Sequence, residues 1–380
     1  MFFHSAGFAD GRTIRSIFMK LQLATQLLLT SVLVSTLGCE HHEASFSLLD
    51  SGQTFSQVPS SKVNNKIDIL WVVDNSGSMN PLQTNLLNNF KSFITDFQTK
   101  GFDFKMAVTT SDAYRAAANF GNSPSLAQFS DGVASRSGFR VITQATPNLV
   151  NNFLINANQG DQGSGDERVF SSMKEALNSS LNSGFLRPGA FLSVIILSDE
   201  DDFSDSTRPE GSWAMPGGVP DHSYTNPSLE TVDSYISYLD TMTGSTGANR
   251  KYNVSAITVL DSACQNTHAK VAPTSTIGLR YMEIAQKTRG TLGSVCDSSF
   301  ANSLATISQN IIELSSQFVL NRVPVESTIV VSVNGATVVN AAINGWTYVA
   351  ASNSILFHGT AVPPQGASIQ VAFTPKTASN

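Results

Sequence analysis

The chain reads as an α/β protein: a doubly wound, mostly parallel sheet with helices on both faces, followed by a small antiparallel β-domain. Three observations predict this. Residues 67–73, apolar apart from Asp68, and residues 191–197 are near-continuous runs of aliphatic, β-branched and aromatic side chains, which is how strands buried on both faces read. Segments with apolar residues three and four apart stand between such runs, and that alternation demands crossover helices over a parallel sheet. Beyond about residue 324 the helical period vanishes, and short apolar runs alternate with turn signals.

The first strand is expected over residues 66–74. A helix follows with Leu82, Leu86, Phe90, Phe93, Ile94 and Phe97 on one face, and Gly101 supplies its stop. Residues 104–109 read as the second strand, running into Thr110, Ser111 and Asp112. A Ser/Asn/Gly-rich stretch occupies 113–138, then a short strand is expected at 139–143 and a short helix at 148–157. The glycine-rich loop 160–165 opens into a helix carrying Val169, Phe170, Met173, Ala176, Leu177 and Leu181. After a break at Gly184 and Pro188, the run 191–197 ends at Ser198 and the acidic string Asp199, Glu200, Asp201, Asp202. Residues 252–260 read as a strand, 277–287 as a helix closed by Gly290, and 300–320 as a long amphipathic helix. In the tail, 327–333, 346–349, 355–357 and 369–373 are strand-like, and Asn334-Gly335 is a strong hairpin signal.

With 380 residues, 41% hydrophobic and 14% charged, the chain can bury a large core and carry a second small domain. A net charge of −6 with no Lys/Arg cluster offers nucleic acid no basic field and argues against it as a partner. From Met19 the sequence gives Lys20, an apolar stretch through Leu27, Leu28, Leu29, Val32, Leu33, Val34 and Leu37, and then Gly38-Cys39. That is the plan of a secretory signal, and fewer than ~18 uninterrupted apolar residues make a poor membrane span. The ending resembles a bacterial lipoprotein signal, which implies that Cys39 is lipidated and heads the mature chain; an ordinary secreted protein cut nearby is the alternative. Residues 1–39 are therefore leader and signal, 40–64 a tether off a membrane surface, 65–321 the α/β domain and 324–376 the β-rich domain. Glu40, not Asp, follows Cys39, so nothing marks inner-membrane retention, and the resemblance to bacterial lipoproteins implies the outer membrane, within the cell envelope. Setting Cys39 aside, Cys264 and Cys296 are an even pair in an oxidising compartment. A disulfide between them would close a loop of about 31 residues and stabilise by roughly 3 to 4 kcal/mol. Two free thiols are the alternative.

The first apolar run ends abruptly in Asp74, Ser76 and Ser78, three oxygen-bearing side chains at alternate positions. One carboxylate and two hydroxyls at the carboxyl end of a buried strand suit a hard divalent cation; Mg²⁺ takes six oxygens at roughly 2.0 to 2.1 Å. A helix-capping turn, with Ser78 as N-cap and Pro81 in the first turn, competes with that reading. The pattern resembles the metal-ion-dependent adhesion site of von Willebrand factor type A domains, a Rossmann-like fold, over roughly residues 64–321. The resemblance implies that Ser76 and Ser78 contact the metal and that Asp74 acts through water. It further implies a threonine ligand on another loop and an aspartate after the fourth sheet strand, where Asp199 stands. No threonine occurs in Gly163-Ser164-Gly165-Asp166-Glu167, so Ser164 is the expected substitute, with Asp166 and Glu167 open as alternatives. Asp166 could instead be a helix N-cap, and residues 199–202 could be only a solvated acidic turn. The order of motifs also resembles uncharacterised bacterial lipoproteins of this family.

These features imply a non-enzymatic envelope protein that binds Mg²⁺, or Mn²⁺ or Ca²⁺, and captures a protein partner through that partner's carboxylate. Residues 203–229, with Trp213, Met215, His222 and Tyr224, are candidates for partner specificity. A metal-dependent hydrolase would need a general base, yet His4, His41, His42 and His358 lie outside the domain core. A structural or assembly protein with a non-adhesive metal site is the third possibility.

Overall fold

Past Lys66 at its edge, the strand Lys66–Val73 carries one charged side chain, Asp68, among residues otherwise built for burial, and in the computed structural model it occupies the middle of a six-stranded sheet. The structure describes residues 55–57, 66–206 and 227–376. Cys39, the signal and residues 207–226, with Trp213, Met215, His222 and Tyr224, lie outside them. In chain order the elements are β1 (Phe55–Gln57), β2 (Lys66–Val73), α1 (Asn80–Lys100), β3 (Asp103–Thr110), β4 (Val141–Thr143), α2 (Leu149–Ala157), α3 (Val169–Asn178), β5 (Phe191–Leu197), α4 (Val232–Thr243) and β6 (Tyr252–Thr258). There follow α5 (Ser262–His268), α6 (Leu279–Thr288), β7 (Leu292–Ser294), α7 (Ala301–Ser315), β8 (Phe318–Val319), β9 (Val330–Val333), β10 (Ala336–Val338), β11 (Trp346–Val349), β12 (Ser354–Phe357) and β13 (Ile369–Phe373).

The large sheet is mixed, in the order β4-β3-β2-β5-β6-β7. Only the β3–β4 pair is antiparallel. Alternate residues of β2 feed opposite cores, as the two-residue period of a strand requires. Ile67, Ile69, Trp71 and Val73 pack with residues of α1, α2 and α7, whereas Leu70 and Val72 pack with residues of α3, α4 and α6. Trp71 presents edges to Phe93 at 5.1 Å and Phe153 at 5.5 Å. Asp68 is tolerated inside because Arg187 donates to it from both Nε (2.8 Å) and its backbone N–H (2.7 Å).

Gly101 closes α1 with φ 69°, a left-handed conformation that favours glycine. At the other helix expected to end on a glycine, the left-handed residue is Arg289 (φ 61°). Gly290 serves a different need: a Cβ there would stand 1.8 Å from the Val254 carbonyl oxygen. The last helix stops at Ser315, short of the expected Leu320, because Phe318–Val319 pairs with β12 as a strand.

The tail forms two antiparallel sheets, β1-β13-β9-β10 and β11-β12-β8. The β9–β10 turn is Asn334-Gly335 with both φ positive, 51° and 83°, as a primed two-residue hairpin needs. Two boundaries differ from the sequence reading. Residues 55–57, placed in the tether, add an edge strand to β13, and β8 lies before residue 321. The tail also has no core of its own. Val331, Trp346, Ile355, Phe357, Val371 and Phe373 belong to the same hydrophobic cluster as Leu304, Ile307 and Ile311 of α7, since some fifty residues bury too little apolar surface by themselves. A disulfide joins Cys264 of α5 to Cys296 beyond β7. Among the described residues no helix is long and apolar enough to cross a membrane.

Candidate metal centre

Strands β2 and β5 are parallel neighbours with Val73 opposite Leu197, so Asp74 and Ser198 leave the sheet side by side. The Asp74 N–H extends the ladder by donating to the Leu197 carbonyl at 2.9 Å. From β2 the chain turns to α1 over one core, and from β5 it leads to α4 over the other, so the carboxyl ends of the two strands form a switch point, the place where open α/β sheets characteristically have their crevice. Asp74 is buried in that crevice. Its Oδ1 accepts the Ser76 N–H at 2.9 Å and the Ser111 hydroxyl at 3.3 Å, and its Oδ2 accepts the Ser198 hydroxyl at 2.7 Å. The Ser76 and Ser78 hydroxyls lie 3.4 Å apart, and Ser78 Oγ donates to Asp199 Oδ1 at 2.9 Å. Asp74, Ser76, Ser78 and Asp199 therefore form one connected cluster. Ser78 is not a helix cap: the residue before α1 is Met79, and no side chain caps that terminus.

Nor is the acidic string a solvated turn, since all four of its residues are buried. Asp202 accepts the Phe170 N–H at 2.8 Å at the start of α3 and Arg280 Nε at 3.2 Å from α6. Asp201 accepts the Arg280 N–H at 3.0 Å. Those two fasten elements together, while Asp199 and Glu200 face the crevice. His268 Nε2 lies 2.9 Å from Asp199 Oδ2. Sequence reasoning missed this histidine, because 69 residues and a helix placement separate it from Asp199; its position four residues after the bridged Cys264 is the one signal available. Gln83 was missed too. It sits on the polar edge of α1, donates to the Asp74 carbonyl at 2.9 Å and accepts the Gln159 N–H at 2.9 Å, so it ties the third loop to the first.

That third loop departs from expectation. Ser164 donates its N–H to Asp112 at 3.2 Å and accepts the Asp166 N–H on its hydroxyl at 3.2 Å, so its side chain closes a local turn and is not drawn into the cluster. Asp166 is no helix cap either: Arg168 clamps it at 3.1 and 2.8 Å, with both side chains fully buried. Glu167 is the member that faces other carboxylates. Burial, then Asp74 and Glu200, holds its carboxyl well above the usual range.

The electrostatics of the crevice bear on whether a cation fits. Burial first, and Asp199 second, push Asp74 up to about 6. Burial also pushes Glu200 up to about 7, against hydrogen bonds from Thr274 and Glu167, with Asp74 and Asp199 adding to the rise. The hydrogen bonds that reach Asp74 and Asp199 come from hydroxyls, a backbone amide and an imidazole, while Arg168 and Arg280 are committed to Asp166 and to Asp201 and Asp202. Carboxylates gathered out of water ionise only if a positive charge joins them. Hydroxyls beside carboxylates are the donors that hard cations take, so a divalent ion fits this set. Among the described residues no three His, Cys, Asp or Glu side chains gather as a metal-binding group by themselves, so the serine hydroxyls would be needed.

No family model matches the chain, and no curated protein matches it. Its similarities among solved structures are distant. The pilus adhesin SpaC from Lactobacillus rhamnosus GG, in its open conformation, is 14% identical with a TM-score of 0.37, over 85% of this chain and 41% of that one. Proximal thread matrix protein 1 from the mussel byssus is 14% identical with a TM-score of 0.33, over 69% of this chain and 48% of that one. The chain thus spans about half, or less, of the length of these structures.

Proposed function

We propose that this chain is a cell-envelope lipoprotein, anchored through Cys39, whose α/β domain is doubly wound in the manner of von Willebrand type A domains and binds a divalent cation at the β2/β5 crevice. Through that cation it captures a protein partner that offers a carboxylate. The observation that carries this reading is the convergence of Asp74, Ser76, Ser78 and Asp199 from two loops at neighbouring strand ends, where among the described residues hydroxyls, a backbone amide and His268, and no lysine or arginine, reach the Asp74 and Asp199 carboxylates. Ser76 and Ser78 would contact Mg²⁺, Mn²⁺ or Ca²⁺ directly, and Asp74 and Asp199, already held by hydroxyl donors, would orient its waters. When bound, the cation supplies a point charge that a carboxylate can meet. Gly77 and the partly exposed Ser78 leave the outer side of the loop open to a partner.

The test begins with melting temperatures of the purified protein in EDTA and with each cation. We expect a saturable rise for at least one ion that Asp74→Ala abolishes. Immobilised protein should then retain an envelope partner that EDTA releases and that the Ser76→Ala/Ser78→Ala double variant fails to hold; retention by that variant would exclude capture through the metal. A second reading, a metal-dependent hydrolase, draws support from His268 beside Asp199, where a general base would stand. Turnover of bis(p-nitrophenyl) phosphate with Mn²⁺, lost in His268→Ala, would favour it.

A further inference from the structure

Glu167 is completely buried, and neither oxygen of its carboxyl makes a hydrogen bond of good geometry; its own backbone N–H and the Glu200 carboxyl are the polar groups that act on it. Buried side-chain polar atoms are nearly always well paired, so a carboxylate this poorly partnered calls for a ligand. The charged groups that act on it are further acids: the Glu200 carboxyl lies against it, and Asp74 is within electrostatic reach. Its backbone is fixed, because the Phe203 N–H donates to the Glu167 carbonyl at 2.8 Å. The alternatives in the same loop are engaged, Ser164 by the Asp166 N–H and Asp166 by Arg168.

We propose that the Glu167 carboxylate is a direct ligand of the cation held by Ser76 and Ser78, in the place where the family resemblance expects a threonine hydroxyl. The proposal rests on the metal-binding reading above and deepens it. A charged ligand replaces a neutral one. Ca²⁺ accepts six to eight oxygens, bidentate carboxylates among them, whereas Mg²⁺ demands a tight octahedron and keeps its waters, so this set selects Ca²⁺ over Mg²⁺. The ion then resides in the protein before any partner arrives, and a partner's acid adds to the coordination sphere without being needed to complete it.

The test is calorimetric titration of EDTA-stripped protein with Ca²⁺ alone and with Mg²⁺ alone, for wild type, Glu167→Gln, Ser164→Ala and Asp74→Ala, with metal-free melting temperatures alongside. Gln keeps the shape of a protonated Glu, so the metal-free Glu167→Gln protein should melt no lower than wild type. We expect wild type to prefer Ca²⁺, Glu167→Gln to lose at least about tenfold in Ca²⁺ affinity, and Ser164→Ala to bind as wild type. Should Glu167→Gln fail to fold, a crystal structure of wild type with Ca²⁺ decides the matter: a Glu167 oxygen at about 2.3 to 2.6 Å from the ion supports the proposal, and one outside the first sphere overturns it. If Glu167→Gln binds Ca²⁺ as wild type does while Asp74→Ala loses it, the proposal is wrong and the metal site stands. If wild type binds neither ion, the metal reading falls and the proposal falls with it.

Discussion

At Asp74 a carboxylate is kept out of water beside a second one, and the consequence is a dependence on pH that an exposed acid would not show. Asp74 and Glu200 stay protonated in the metal-free fold up to about 6 and about 7, whereas the unfolded chain loses those protons near 3.8 and 4.5. The native state binds more protons over that interval, so metal-free stability falls as pH rises from about 4 to about 7. Melting in EDTA should therefore occur at a lower temperature at pH 8 than at pH 5, and saturating cation should flatten the difference because it replaces the protons. A melting temperature in EDTA that rises over this range would show that these carboxylates are not the buried, mutually repelling set described here. The loop residues Asp74, Ser76 and Ser78 were readable because they are adjacent in the sequence at the end of a buried run, and Asp199 because strand ends of a parallel sheet share an edge. The third loop was not readable. The Ser164 hydroxyl is taken by the Asp166 N–H and the Asp166 carboxylate by Arg168, which leaves Glu167 among the other acids, and no local pattern encodes that.

Elements followed the sequence where the deciding interaction is local. Gly101 ends its helix and Asn334-Gly335 turns its hairpin because each needs a backbone conformation that few residues adopt. Where a distant partner decides, the reading failed: Phe318–Val319 leaves the helical pattern because β12 offers it a ladder, and Gly290 is set by the approach of the Val254 carbonyl. Helix α5 is a short element placed from outside. Its disulfide closes a 32-residue separation, and it carries His268 to Asp199. Replacing both cysteines by serine should cost about 3 to 4 kcal/mol in urea unfolding and weaken cation binding through the loosened His268 contact. Lost stability with unchanged cation affinity would mean that His268 plays no part in holding Asp199.

For the whole molecule, the two small sheets of the tail and the large sheet share one hydrophobic core, which alters what truncation can reveal. The sequence marks residue 324 as a boundary because periodicity changes there, but periodicity reports local structure and not which core a strand enters. Removing residues after Leu320 strips Val331, Ile355, Phe357, Val371 and Phe373, all fully buried, from that core. We expect the truncated protein to melt far below the full chain or to aggregate, by calorimetry and light scattering, because each large buried side chain lost costs roughly 2 to 5 kcal/mol. A truncated form as stable as the full chain would restore the reading of an independent β-domain. Whether a cation occupies the crevice between β2 and β5 can be read from the anomalous difference map of a Mn²⁺-soaked crystal of the full chain. Cation binding at this place requires a single strong peak among Ser76 Oγ, Ser78 Oγ and the carboxylates of Asp74, Asp199 and Glu167. A well-diffracting crystal with no peak there, or with its main peak elsewhere, would contradict it.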